Sequence, residues 1–243
     1  CVNDWEHDPY TSAHFDEATL IRAVDMVWAD SPINVARVAA IRNDVVAMAG
    51  GVDVALFARA RRTPAVPPAR PLCAYFGTIG ISTDLNLLRA VSHRFSLRLI
   101  GPVRSNLEGF APETEIVGAV PQERLPELLY DVDVLLLPYT HSDHNKSVIP
   151  AKLFECLATG KPTIVSGLEA LRDYADLFTI CETEEEVLTA IAAATTEPPA
   201  RRAARIAYAE QNGYDRLYDT IESYFEQVLA RTAQMRPDTA ITL

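Results

Sequence analysis

From residue 72 onward, short unbroken apolar runs alternate with segments whose apolar residues recur every three or four positions, the signatures of buried strand and amphipathic helix. Runs at Leu72–Phe76, 97–100, 115–117, 134–137, 163–165 and 177–180 read as strands. Between them the spacing predicts a helix capped by Ser82 or Thr83, with Leu85, Leu88 and Val91 on one face, and further helices over 122–131, 151–159, 168–175 and 183–194. The strand runs are apolar throughout, so both faces of the sheet must be covered, which makes it parallel. The expected fold class is α/β: a Rossmann-like parallel sheet domain with helices on both faces, plus a partial N-terminal α/β domain.

The first 53 residues repeat the same grammar. Residues 15–27 are helical in pattern, Ser31 with Pro32 is an N-cap followed by the residue favoured at the first helical position, and 45–49 reads as a strand running into Gly50 and Gly51. A proline-rich stretch then intervenes, stiff enough to mark a boundary. The expected division is 1–62 as the remainder of an N-terminal Rossmann-like domain, 63–71 as linker, 72–198 as the principal, ligand-binding domain, and 199–243 as helices returning toward the N-terminal part. In those last helices Leu217, Ile221, Tyr224 and Val228 mark one apolar face, and the first block is the surface expected beneath it.

Length and charge narrow the class. A chain of 243 residues buries a full core, and its net charge of −11 argues against nucleic acid or an anionic membrane surface as a non-specific partner. The basic clusters, Arg59, Arg61, Arg62 and Arg70, then Arg201, Arg202 and Arg205, read as solvated surface. Cys1, Cys73, Cys156 and Cys181 lack Cys-x-x-Cys spacing, and three sit within apolar patterns, so free thiols and a cytoplasmic location are expected. No apolar run reaches the ~18 residues a membrane span needs. Beginning at Cys1, the chain reads as a piece of a longer protein.

The chemistry concentrates at 133–162. An apolar strand enters a polar loop, and the loop enters a helix that places Lys152 and Glu155 on one face before Gly160 stops it. Ligands of parallel sheets bind beyond the carboxyl ends of the strands, where helix N-termini offer amide hydrogens to anions. Glu155 lies five residues after Pro150, roughly 7–8 Å along a helix axis, about the offset from a diphosphate to its ribose. A carboxylate accepts two hydroxyl hydrogens, and a lysine a turn earlier neutralises a phosphate oxygen. A surface ion pair accounts for the same spacing. Gly77 and Gly80, after the first strand of this block, suit either a close phosphate approach or a plain tight turn. The three-glycine dinucleotide fingerprint and the Walker lysine are missing, which argues against NAD and FAD as cofactors. Asp131 and Asp133 resemble a metal-holding pair but enter their strand from the amino end, while His141, Asp143 and His144 lie on the correct edge and read as a solvated loop.

Taken in order, Gly51-Val-Asp53 with Phe57, Tyr75-Phe-Gly-Thr-Ile79, Leu99-Ile-Gly-Pro102, Gly118-Ala-Val-Pro121 and Pro150-Ala-Lys-Leu-Phe-Glu155 resemble the carboxyl-terminal half of a GT-B glycosyltransferase of family 4, the nucleotide-sugar-dependent group. Cys1 to Trp5 and Ala29 to Pro32 are similar to the end of that family's first domain. The resemblance implies that 72–198 binds a nucleoside-diphosphate sugar, with Gly77 and Thr78 along the diphosphate and the backbone at Val120 meeting the base. It implies Lys152 on phosphate, as the catalytic group, and Glu155 on the ribose hydroxyls. Ser147 stands where many relatives carry a glutamate near the donor sugar. A basic pair common after the first strand of this domain is missing, and Arg104 is its expected substitute.

The implied activity is metal-independent transfer of the sugar, with retention, to a glycan or lipid-linked acceptor, with no cofactor beyond the donor. Most of the acceptor-binding domain would lie upstream of Cys1. The fragment alone would then bind a donor without transferring it, and any peripheral membrane contact would come through the missing domain. A sugar-nucleotide epimerase of the same fold and a non-catalytic nucleotide-binding module are the alternatives.

Overall fold

The computed structural model describes residues 16–48, 50–62, 66 and 68–235. Cys1 to Trp5 and Ala49 lie outside the described residues. The first block comprises α1 (Glu17–Ala23), β1 (Trp28–Ala29), α2 (Pro32–Ala39), β2 (Val46–Ala47) and α3 (Val54–Ala58). Ser31 caps α2 by accepting from the Asn34 amide at 3.2 Å, with Pro32 at the first helical position, as the sequence predicts. β1 and β2 pair in parallel.

The principal sheet contains β3 (Leu72–Phe76), β4 (Ser96–Ile100), β5 (Glu115–Gly118), β6 (Val134–Pro138), β7 (Thr163–Ser166) and β8 (Thr179–Ile180). All pairs are parallel and the spatial order is β5-β4-β3-β6-β7-β8. Growth runs one way from β3 and the other from β6, which is the doubly wound order, and its switch point opens a crevice beyond the carboxyl ends of β3 and β6.

Helices cover both faces, because successive strand residues point to opposite sides. Cys73, Tyr75, Leu97, Leu99, Val134, Leu136 and Ile164 face α4 (Leu85–Arg94) and α8 (Glu184–Ala194). Ala74, Phe76, Ile100, Leu135, Leu137 and Val165 pack with α3, α5 (Leu125–Leu129) and α7 (Lys152–Thr159). Each fully buried leucine here contributes roughly 1.5–3 kcal/mol relative to exposure. A short α6 (Asp143–Lys146) interrupts the loop after β6; α9 (Pro199–Gln211) and α10 (Tyr214–Met235) follow the sheet. Leu217, Ile221, Tyr224 and Val228 are half-buried along α10, and Phe225 of the same helix meets Trp28 edge-on with ring centroids 6.3 Å apart.

Several local expectations are corrected. The N-cap of α4 is Asp84, accepting from the Leu87 amide at 3.0 Å, and not Ser82 or Thr83. The segment predicted as a helix over 168–175 is a 3-10 stretch, Glu169–Tyr174, and the last strand shrinks to Thr179–Ile180 because Leu177 and Phe178 hydrogen-bond back to Tyr174. The late arginines are not solvated surface. Arg205 is 1% exposed, donates to the Gly160 and Leu177 carbonyls and ion-pairs with Glu197, while Arg201 donates to the Phe178 and Ala175 carbonyls. Arg61 likewise donates to the Ala158 carbonyl at 2.8 Å. Arg205 and Arg61 thus tie α9 and the end of α3 to the end of α7, while Arg201 ties α9 to the segment leading into β8.

Candidate functional site

At the carboxyl edge, several strands end in glycine with a positive φ: Gly77 (120°) after β3, Gly101 (139°) after β4, Gly118 (79°) in β5 and Gly167 (72°) after β7. At Gly77, Gly101 and Gly167 the space is also crowded, whereas Gly118 faces open space. A Cβ at Gly101 would overlap the Gly77 carbonyl oxygen, one at Gly167 would overlap that of Tyr139, and one at Gly77 would overlap Lys152 Nζ. Gly77 donates to the Ile100 carbonyl and Gly101 to that of Gly118, both at 2.8 Å, so the first three turn away from their strands side by side.

The loops beyond them are laced together. Ile79 donates to Pro102 and Arg104 donates back to the Ile79 carbonyl at 2.8 Å; Asp84 donates to Pro138 and Thr140 to Ser82. Thr83 Oγ1 accepts weakly from the Gly80 amide and donates to the Thr78 carbonyl. Since Asp84 already caps α4, that helix offers less positive potential to an anion than its position suggests. The positive charge comes from α7 instead.

Lys152, in the first turn of α7, reaches across the switch-point crevice. Its ammonium donates to the Tyr75 hydroxyl at 3.0 Å and lies 4.5 Å from the Tyr75 ring centroid and 5.5 Å from that of Tyr139. Burial alone would push the ammonium toward neutrality; Tyr139 and Tyr75 outweigh it and hold the pKa above the ordinary lysine value. Among the described residues no carboxylate forms an ion pair with it. No side chain caps the α7 N-terminus either.

One turn farther along α7, Glu155 is half-buried, and its Oε1 accepts from Gln122 Nε2 at 2.6 Å. Burial raises its carboxyl above the ordinary range, against the pull of the Gln122 hydrogen bond and the Lys152 charge. Gln122 follows Val120 and Pro121, so the carboxylate stands at the end of the crevice bounded by β5. The structure therefore brings Gly77, Lys152, Glu155 and the segment after β5 to one edge. Thr78 is exposed on the same turn, and Arg104, also exposed, sits beside Gly80, whose added Cβ would lie 3.6 Å from that of Arg104. Ser147 is buried at 4% exposure where α6 ends, below a loop braced by Asn145 Nδ2 donating to the Thr140 carbonyl at 2.8 Å.

Tyr75 and Gly101 fall within segments quoted for the resemblance, but no role for them, nor for Tyr139 or Gln122, comes from the sequence. Tyr75 reads as one more apolar strand residue, and only the register of its hydroxyl with a lysine 77 positions later reveals it. To one side, beyond β7 and β8, lies a cavity of about 410 Å³ lined by His141, Asp143, Lys146, Glu169, Arg172 and Glu182, its charges largely satisfied by the Lys146–Asp143 and Arg172–Glu182 pairs. Asp131 is engaged with Arg98 at 2.6 Å and Asp133 with the Leu72 amide at 2.9 Å, both at the amino edge. Among the described residues no three His, Cys, Asp or Glu side chains are grouped to hold a metal ion, and no helix is long and apolar enough to cross a membrane.

No family model matches the chain. Over 57 residues it is 35% identical to a Bacillus subtilis (strain 168) protein described as a teichuronic acid biosynthesis glycosyltransferase, TuaH; the match covers 24% of this chain and 14% of that protein. Among solved structures, sucrose-phosphate synthase from Thermosynechococcus elongatus superposes with a TM-score of 0.72 at 16% identity, over 93% of this chain and 65% of the synthase. Anabaena HepE in complex with UDP gives 0.66 at 13% identity, over 91% of this chain and 71% of HepE. The lipopolysaccharide outer core galactosyltransferase WaaB, apo form, gives 0.63 at 14% identity, over 90% and 66%. The chain thus spans about two thirds of the length of these structures and a small part of TuaH. Its two α/β blocks, switch-point crevice and returning C-terminal helices have the fold of the GT-B glycosyltransferases.

Proposed function

We propose that this chain binds a nucleoside-diphosphate sugar across the carboxyl edge of the principal sheet and forms the donor side of a glycosyltransferase acting on a glycan or lipid-linked acceptor. The observation that carries the reading is the Lys152 ammonium, half-buried between two tyrosines, unpaired with any carboxylate among the described residues and set against the backbone of Gly77. A desolvated cation without a counter-anion, beside a turn that only glycine can make, is arranged for an anionic ligand. In this reading the diphosphate lies between Lys152 and the Gly77–Thr78 turn, with Arg104 at its outer side. The ribose hydroxyls donate to Glu155, which Gln122 orients, and the base lies along Val120. Ser147 borders the donor sugar.

Transfer would draw on Lys152 and the turn amides to stabilise the departing diphosphate, an electrostatic contribution that grows as water is expelled from the crevice. The scheme uses neither a metal nor a cofactor other than the donor. Retention of anomeric configuration is what the sequence resemblance implies, and product analysis with a labelled donor tests it. HepE, a structural neighbour, is described in complex with UDP and with UDP-glucose, which makes UDP the first ligand to try. Melting should shift upward with UDP, GDP or ADP and the shift should vanish in Glu155→Ala. Melting left unchanged by all three would overturn the assignment.

A further inference from the structure

Tyr75 is 2% exposed and its ring belongs to the apolar layer facing α4, so packing alone would be served by phenylalanine. The hydroxyl is what differs, and it touches both walls of the crevice. It donates to the Thr78 carbonyl at 2.8 Å, accepts from Lys152 Nζ at 3.0 Å and meets Thr83 Oγ1 at 3.2 Å. One oxygen thus fixes the distance between the turn after β3 and the ammonium arriving from α7. Lysine is a flexible point charge on a long stem, and its freedom opposes binding unless the fold has already removed it.

We propose that Tyr75 is a positioning residue of the nucleoside-diphosphate site, its hydroxyl holding the Lys152 ammonium over the Gly77–Thr78 turn so that charge and turn amides meet the same phosphate. The inference rests on the assignment of this crevice to a nucleoside diphosphate. It makes a specific demand: the hydroxyl matters to the phosphate end of the ligand and not to its nucleoside end, and it acts only through Lys152. Tyr75→Phe keeps the ring under the ammonium and leaves the Thr78 carbonyl its second donor, Thr83 Oγ1 at 3.2 Å, so the fold has little reason to change.

The test is calorimetric titration of the wild type, Tyr75→Phe, Lys152→Met and the double variant with UDP and uridine, replaced by GDP with guanosine or ADP with adenosine if the wild type prefers that base. Tyr75→Phe should weaken the diphosphate about tenfold, the worth of one hydrogen bond to a charged group, and leave the nucleoside unchanged. In the Lys152→Met background the same change should have no further effect. Unaltered diphosphate affinity in Tyr75→Phe, equal weakening of diphosphate and nucleoside, or a full tenfold loss persisting without Lys152 would each overturn the proposal. A wild type that binds none of the three diphosphates overturns the site assignment itself and this inference with it, a result distinct from a wild type that binds while Tyr75→Phe matches it.

Discussion

Lys152 opens α7 at the carboxyl edge of the sheet, and Lys161 follows the same helix at the amino edge. Both are drawn out of water, yet their surroundings differ in kind. Lys161 is 4% exposed and donates to the Tyr130 and Val132 carbonyls at 3.1 and 2.7 Å, while burial, with Arg62 and Arg202 nearby, lowers its pKa to about 8. Lys152 rests on phenols that raise its pKa, and its ammonium faces a glycine turn rather than a set of carbonyls. Burial by itself therefore does not distinguish a structural cation from a binding one. What differs is the hydrogen-bonding: two backbone carbonyls engage the Lys161 ammonium at the amino edge, whereas the Lys152 ammonium donates to the Tyr75 phenol and faces the Gly77 turn, the arrangement proposed above to receive an anion.

The amino edge should be the costlier one to disturb. Arg205→Ala removes a buried guanidinium shared by the Gly160 and Leu177 carbonyls and Glu197, and is expected to lower unfolding free energy by roughly 3–5 kcal/mol, read from urea denaturation, while the folded fraction keeps its nucleotide affinity. Next, Lys152→Met should weaken UDP by ~10–100-fold in calorimetry with little loss of stability. Lys161→Met should do the reverse, costing roughly 1–3 kcal/mol of stability with no change in affinity. If the two lysine variants lost stability equally, the distinction drawn between the edges would disappear.

Acidity sharpens the contrast. A lysine whose folded pKa is about 8 against an ordinary 10.5 leaves the unfolded chain binding more protons between those values, so its contribution favours folding increasingly as pH climbs from 8 to 10.5. The stability gap between the wild type and Lys161→Met should widen across that window, and a constant gap would count against the assignment. The smallest effect is expected at Glu155. Its raised carboxyl means that ionisation opposes folding once pH exceeds the ordinary glutamate range, so Glu155→Gln should leave stability at neutral pH unchanged or slightly improved, within about 0.5 kcal/mol, while abolishing protection by UDP. A clear drop in melting temperature would show that the carboxylate serves the fold.

Much of this was legible in the chain itself, for identifiable reasons. Strands such as Val134–Pro138 are buried on both sides and announce themselves as unbroken apolar runs, and Ser31-Pro32 is local cap chemistry that needs no partner. Lys152 and Glu155 are visible because one helix carries both. What stayed hidden depends on distant pairing. Asp84, Ser82 and Thr83 are all competent caps, and the choice among them is made by Thr83 being claimed by Tyr75 and Thr78 and by Asp84 donating to Pro138. Arg205 looks like surface charge until α9 is laid against Gly160. Tyr75, hidden in an apolar strand, gains its significance from a residue on the far side of the switch point.

The bare turns that end β3, β4 and β5 have one more consequence. Where Gly77, Gly101 and Gly118 leave the sheet, no substituent projects, so a ligand resting there would read main-chain geometry that mutation elsewhere can scarcely repaint. Under the proposed donor binding, discrimination among donors would fall to the margins of that blank strip, the segment from Val120 to Gln122 at one end and the loop that carries Ser147 at the other, and those two short stretches are where a redesigned preference should be sought.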